Sequence, residues 1–166
     1  MKLVETELFG GAIIANYPEG YIDASELRQV PDTQEVYLSP DTDESIILET
    51  LIRVPADDSS DAAKFHFNAT AHDNDALSSS IEDVQTIPND RGDATPSVII
   101  LHGRQGVRKF NRTSVDDVRI SLALYRVEGK GVDLGGIRTE DEYIAAKSDF
   151  YSIATSLRIV DFGLFA

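Results

Sequence analysis

Hydrophobic and polar residues alternate with a period of two along much of this chain, and such alternation predicts β-strands. In the segment 34–38, Val36 and Leu38 fall on one side while Glu35 and Tyr37 fall on the other. Further alternating or short apolar runs predict strands at 3–9, 12–15, 64–69 and 81–87. The two longest runs, 97–110 and 115–127, are joined by the turn-forming residues 111–114 and predict a long antiparallel hairpin.

A helical spacing of residues follows the strand at 34–38. The apolar positions match one face of a helix: Ile47, Leu48, Leu51 and Ile52. Three polar positions step by four along another face: Asp41, Ser45 and Glu49. Ser39 offers a cap and Pro40 suits the first turn. We therefore predict a helix that begins near Ser39, with one buried face and one acidic face.

A second helix is predicted over 139–158, where apolar residues recur at i, i+3, i+4 and i+7 from Phe150. Several strands, one early helix and one late helix indicate an α+β domain with a mainly antiparallel sheet. With 166 residues, the chain is long enough to form one domain, 1–166, with its own core. The apolar end, 159–166, is expected to pack against that core.

Charge is unevenly distributed along the chain, whose formal net charge is −14. The segment 32–61 contains nine acidic residues against the single basic Arg53, a balance of −8. An acidic field of this kind disfavours binding to nucleic acid or anionic membranes and steers a basic protein partner toward the surface. No apolar run approaches membrane-spanning length, and Glu5 and Glu7 interrupt what a signal peptide would need, so we expect an intracellular protein.

The motifs of common enzymes and metal sites do not occur in the sequence. Cysteine is absent, the three histidines lack zinc-ligand spacing, and no nucleophile elbow or phosphate-binding loop is found. We therefore predict no metal, no cofactor and no catalytic residue, and favour a protein-binding role. Three alternatives stay open: a purely solvating acidic face, which the pattern of carboxylates alone favours, an acidic enzyme or ligand-binding domain with an unrelated pocket, and a scaffold for some other basic protein.

Several short motifs resemble those of one family. They are Gly10-Gly11-Ala12, Ile22-Asp23-Ala24-Ser25, the run VPDTQEV at 30–36, Glu44-Ser45-Ile46-Ile47 and, less tightly, the ending 160–166. Together they resemble the Mog family, small nuclear-import factors that bind the GTPase Ran, most closely over the first third of the chain. The resemblance implies a sheet sandwiched between helices, similar to PsbP-like proteins. It also implies a monomer, found in nucleus and cytoplasm, that binds Ran, promotes guanine-nucleotide release and supports nuclear import.

The same resemblance implies which residues contact Ran. The turn 23–29 is similar to the family segment tied to nucleotide release, through Asp23, Glu26, Leu27, Arg28 and Gln29. The acidic face tied to Ran binding corresponds to Asp32, Glu35, Glu44 and Glu49. Where the family runs a further strand before the last helix, this chain offers the glycine-rich 131–137, so a shortened or irregular sheet edge is expected there.

Overall fold

The computed structural model describes residues 2–108, 113–140 and 147–166. The strands of this part are β1 (Leu3–Leu8), β2 (Ile13–Pro18), β3 (Ile22–Asp23), β4 (Gln34–Leu38), β5 (Ser45–Ile52), β6 (Ser78–Ile87), β7 (Val98–Val107), β8 (Asp116–Val127), β9 (Val132–Glu140) and β10 (Arg158–Ile159). The helices are α1 (Ser59–Asp73) and α2 (Lys147–Ser156), with short 3-10 turns at Phe9–Gly11, Ala24–Glu26 and Phe162–Phe165.

The strands form two antiparallel sheets. The large sheet has the order β3-β4-β5-β9-β8-β7-β6, and the small one has the order β1-β2-β10. The predicted hairpin is present as β7 and β8, which pair from Val98↔Tyr125 to Val107↔Asp116. Residues 111 and 112 of its predicted turn lie outside the described residues.

Each face of the large sheet carries its own apolar core. On one face, Phe67 of α1 packs with Leu101 and Leu122 of the β7–β8 hairpin. On the other, Phe150 of α2 and residues of the small sheet pack with Ile100. The predicted α+β class is therefore confirmed: a mainly antiparallel sheet lies between helical layers. The apolar C-terminal segment also packs against the second core, as predicted, through Phe162, Leu164 and Phe165.

The helix predicted over 39–52 is wrong, because residues 45–52 form strand β5. Ile46 and Leu48 are buried on one face, in the alternation of a strand. A short apolar run can satisfy either spacing, and the β-branched Ile46, Ile47 and Thr50 favour a strand that neighbouring strands can flank. Strands β4 and β9 supply those neighbours.

The strand predicted over 64–69 is also wrong, since these residues belong to helix α1. Asp58 caps the helix by accepting a hydrogen bond from the amide of Ser60 (2.8 Å). Ala62, Ala63, His66 and Phe67 form its buried face. A strand over 64–69 would place His66 on a polar face, opposite the face of the core, but in the helix its side chain is buried. Ala62 and Ala63 favour a helix strongly. They lie just before Phe65 and Phe67, whose spacing of two resembles that of a strand.

The region predicted as a shortened sheet edge is instead the internal strand β9, between β5 and β8. Gly135 and Gly136 are accommodated there because Leu51 and Leu48 of β5 fill the space beside them. Strand β9 also includes residue 139, where the late helix was predicted to begin. Helix α2 is described from Lys147, while residues 141–146 lie outside the described part.

Around residue 21 and at the ends of α1, the observed elements also differ from the prediction. Residues 21–28, where Asp23 or Ser25 could cap one or two helical turns, form β3 and a single 3-10 turn instead. The polar composition of 71–80 indicates an exposed loop, but the loop is shorter, because α1 continues to Asp73 and β6 begins at Ser78. Ala71 and His72 continue α1 without a break, so the helix extends into the polar segment whose composition indicates a loop.

A buried polar network ties α1 to the large sheet. Asp133 of β9 accepts hydrogen bonds from His66 (2.9 Å), from the Val54 amide (3.1 Å) and from Arg126 Nε (3.1 Å). Arg126 also donates to the carbonyls of Val54 and Ala56. Asp133 has no exposed surface. The network therefore joins β8, β9, α1 and the segment 54–56 that leads into α1.

Gly103→Ala is expected to destabilise the domain. A Cβ at Gly103 would lie 2.6 Å from the Phe67 ring and 2.7 Å from the carbonyl oxygen of Ser80. Since the second atom belongs to the backbone of β6, relief requires strand movement, and we expect a loss of about 1–3 kcal/mol in unfolding free energy. Urea denaturation measures it. Gly136→Ala is the matched control, because its Cβ would meet no atom closer than 3.7 Å; equal losses in the two variants would contradict the explanation.

Candidate partner-binding surface

A tight turn projects from the β3 end of the large sheet. Asp23 caps it by accepting a hydrogen bond from the Ser25 amide (2.9 Å). The amides of Leu27 and Arg28 both donate to the carbonyl of Ala24, each at 3.0 Å. Residues 25–29 of the turn are exposed, and Leu27 is 68% exposed, whereas Ala24 is buried. Four of the partner-binding residues that were predicted in this turn are exposed: Glu26, Leu27, Arg28 and Gln29. The fifth, Asp23, is half-buried at the base of the turn.

Beside this turn lies an open depression that collects three predicted carboxylates. Asp23, Asp32 and Glu35 line it together with Phe9 and other residues. Glu35 accepts a hydrogen bond from the Phe9 amide (2.9 Å). Burial raises the pKa of the Glu35 carboxyl, an effect that the Phe9 amide opposes and the Asp23 carboxylate reinforces. The structure thus brings together residues from the turn, the following loop and strand β4.

Glu49 lies on the opposite face of the same sheet edge. It pairs with Gln34, whereas Glu35 pairs with the buried Leu48. Since successive side chains on a strand point to opposite faces, Glu35 and Glu49 do not share the one acidic face that the family resemblance implied. Glu49 is half-buried, and the neighbouring Thr50 amide donates to the carbonyl of Thr33 (3.0 Å), next to Asp32. The predicted acids therefore surround the β3–β4–β5 edge.

Glu44 is the exception, because its carboxylate is buried. Arg138 Nη2 lies 3.2 Å from both carboxylate oxygens, and the hydroxyl of Tyr21 donates to Oε2. Glu44 is 6% exposed and Arg138 is 2% exposed. We therefore remove Glu44 from the set of surface residues. Sequence reasoning missed Tyr21 and Arg138, and no local signal would have found them, since Arg138 lies 94 residues from Glu44.

The histidines and acids of the described residues do not form a metal cluster at this surface. Within residues 2–108, 113–140 and 147–166, no three His, Asp or Glu side chains are placed so that they could hold a metal ion. His66 and His102 are instead bonded to Asp133 and Ser121 inside the protein. No helix in the part of the chain that the structure describes is long and apolar enough to cross a membrane.

Comparisons with known proteins give one family model and several similar proteins. The family model described as "Ran-interacting Mog1 protein" matches residues 6–135. The Ran guanine nucleotide release factor of Danio rerio is 32% identical over 178 aligned positions, covering 95% of this chain and 97% of that protein. The nuclear import protein mog1 of Schizosaccharomyces pombe is 44% identical over 71 residues, 42% of this chain and 37% of that protein. The crystal structure of the Saccharomyces cerevisiae Ran-binding protein Mog1p superposes with a TM-score of 0.80 at 25% identity, covering 100% of both chains.

Proposed function

Because this chain belongs to the family of Ran-interacting Mog1 proteins, we propose that it binds the GTPase Ran, promotes release of its guanine nucleotide and supports nuclear protein import. The observation that carries the proposal is the family match over 6–135, which contains the whole candidate surface. The names of the relatives, a release factor and an import protein, support the two parts of the function.

The contact surface in this proposal is the β3–β4–β5 edge. The exposed turn Glu26–Gln29, with Asp23 at its base, acts in nucleotide release, and Asp32, Glu35 and Glu49 bind Ran. The net charge of −14 and the acidic segment 32–61 support a basic partner surface, because opposite charges steer two proteins together and fix their register. Glu44 supports the surface from inside and makes no contact with Ran.

The mechanism is electrostatic and conformational. A GTPase holds its nucleotide through a lysine, backbone amides and a magnesium ion. Carboxylates docked beside that site either compete for these positive groups or favour an open switch conformation, and both raise the nucleotide dissociation rate. A binder of this kind shifts the equilibrium only by its higher affinity for nucleotide-free Ran. The protein itself makes and breaks no covalent bond, and it works as a monomer of one domain, 1–166, in nucleus and cytoplasm.

Dissociation of a fluorescent guanine nucleotide from purified Ran tests the proposal. We expect dissociation to accelerate with increasing concentrations of this protein and to reach a plateau. Reciprocal coupling between two ligands of one protein typically spans about 5- to 150-fold in affinity, and we expect the nucleotide affinity of Ran to fall within that range. A small GTPase other than Ran serves as the specificity control. Unchanged dissociation together with no detectable complex would overturn the proposal.

A further inference from the structure

A buried ion pair, Glu44–Arg138, contacts Tyr21, the residue that precedes β3 and the turn. Glu44 ends the loop between β4 and β5, Arg138 lies on β9, and Tyr21 directly precedes β3. The Tyr21 hydroxyl and Arg138 Nη2 both contact the Glu44 carboxylate. These three residues therefore connect the outermost strand of the large sheet to a strand three positions inward.

The strand register shows the same connection across the sheet. Arg138 pairs with Ile46, Ile46 with Tyr37, and Tyr37 with Asp23, so all four residues form one row. Asp23 is the cap of the turn. The polar network and the backbone row thus both end at the turn, one through Tyr21 and the other through Asp23.

Strand β3 gives the turn a short backbone attachment. It contributes two residue pairs, Ile22↔Leu38 and Asp23↔Tyr37. A strand that is so short and lies at a sheet edge opens easily, because few hydrogen bonds must break. The hydrogen bond of Tyr21 adds an attachment immediately before β3. Its acceptor is a carboxylate, and hydrogen bonds to charged groups are stronger and more directional than those between neutral groups.

The ion pair has a better explanation as a positioning device than as a source of stability. The free energy needed to remove two charges from water offsets most of the free energy gained from their attraction. Apolar residues of similar volume therefore often stabilise a fold equally well. The Arg138 guanidinium, however, lies 3.2 Å from both oxygens of the Glu44 carboxylate and so fixes the direction of that group. Glu44 therefore presents a fixed, charged acceptor to Tyr21, and the hydroxyl has one well-defined position.

We propose that Tyr21 is a positioning residue, held by Glu44 and Arg138, which keeps the turn 23–29 in the conformation that acts on the nucleotide site of Ran. The inference rests on the proposed function, and it adds a division of roles. The carboxylates of Asp32, Glu35 and Glu49 determine how tightly Ran binds. The buried network determines how effectively the bound protein promotes release.

Tyr21→Phe tests the attachment without using Ran. The variant keeps the ring, which packs against the apolar core, and removes only the hydroxyl. We measure hydrogen exchange of the Leu27 and Arg28 amides, both bonded to the Ala24 carbonyl. Losing a hydrogen bond to a charged group should speed exchange at these two amides by about tenfold. Tyr125→Phe is the matched control, because it removes another buried tyrosine hydrogen bond, to Ala154 (2.6 Å), at a distant place. Unchanged exchange in Tyr21→Phe would overturn the inference.

Nucleotide release from Ran tests the role of that attachment. With Tyr21→Phe we expect the maximal release rate to fall by roughly tenfold, while the affinity for Ran changes less than about twofold. Tyr125→Phe should leave both values near those of the wild type. If the wild-type protein releases no nucleotide, the proposed function fails, and hydrogen exchange still decides whether the attachment exists. If exchange accelerates while release is unchanged, the positioning role is overturned.

Discussion

Glu49→Lys will weaken binding to Ran by about 100-fold, or about 3 kcal/mol, while the protein remains folded. Glu49 lies on β5 opposite Gln34, the first residue of β4, close to the loop that carries Asp32. Charge pairs that are desolvated in an interface couple far more strongly than exposed pairs at its rim, and reversing a charge turns attraction into repulsion. The side chain is half-buried and no ion pair is described for it, so the substitution leaves the core intact.

The matched control for this charge reversal is Asp73→Lys. Asp73 is an exposed acid at the end of α1, the helix that packs on β6, β7 and β8. The substitution changes the net charge by the same amount but acts away from the proposed surface. Binding is measured by titration calorimetry at two salt concentrations, and folding by circular dichroism. If both variants lose affinity equally, the effect arises from net charge; if folded Glu49→Lys binds normally, our placement of the interface is wrong.

Asp133→Ala will lower the free energy of unfolding by about 3–5 kcal/mol, because it leaves the buried Arg126 and His66 without their shared partner. Arg126 is 8% exposed, so water cannot readily replace the carboxylate. The Val54 amide also loses its acceptor, which loosens the segment that leads into α1. Urea denaturation at neutral pH measures the loss. Asp73→Ala, an exposed substitution, should change stability by less than about 0.5 kcal/mol.

The difference between wild type and Asp133→Ala should also depend on pH. Burial alone would raise the pKa of Asp133, but hydrogen bonds from His66, Val54 and Arg126 outweigh it and hold the pKa below its ordinary value. A carboxyl whose pKa is lower in the folded state stabilises that state above its unfolded pKa of about 4. This contribution is lost as pH falls through the lower, folded pKa. The stability difference between the two proteins should therefore shrink below about pH 4, and a constant difference would contradict the explanation.

Sequence patterns correctly predicted those elements of the fold whose hydrophobic pattern extends over many residues. Strand β7, of 10 residues, opens with four consecutive apolar residues, and β8 alternates within its 12 residues, which together leave little ambiguity between helix and strand. Strand β5 and helix α1 were interchanged because each contains a short apolar run that fits both spacings. Strand β9 was missed because its glycines weaken the pattern, and the leucines of β5 that accommodate them are distant in sequence.

For the candidate surface too, the sequence predicted the placement of some residues and not of others. Exposure of Glu26, Leu27, Arg28, Gln29 and Asp32 follows from polar composition near a proline, and the structure agrees. The burial of Glu44 could not be predicted from the neighbouring residues, because its partner Arg138 lies 94 residues away in the sequence. The placement of Glu35 and Glu49 on opposite faces depends on whether 45–52 is a strand or a helix. Side-chain direction could therefore be assigned only after the secondary structure was known.

The position of β9 also affects how the protein is made. Strand β5 pairs with β9 along its whole length, from Ser45↔Thr139 to Ile52↔Val132, although about 80 residues separate them in the chain. At a translation rate of about 5–20 residues per second, several seconds pass after β5 is synthesised before β9 follows. During that interval β5 has an unpaired edge, which can pair with other strands. The half of the sheet that carries the candidate surface is therefore completed late in synthesis. In a nascent chain that stalls before residue 132, the edge of β5 stays unpaired and this half of the sheet can misfold.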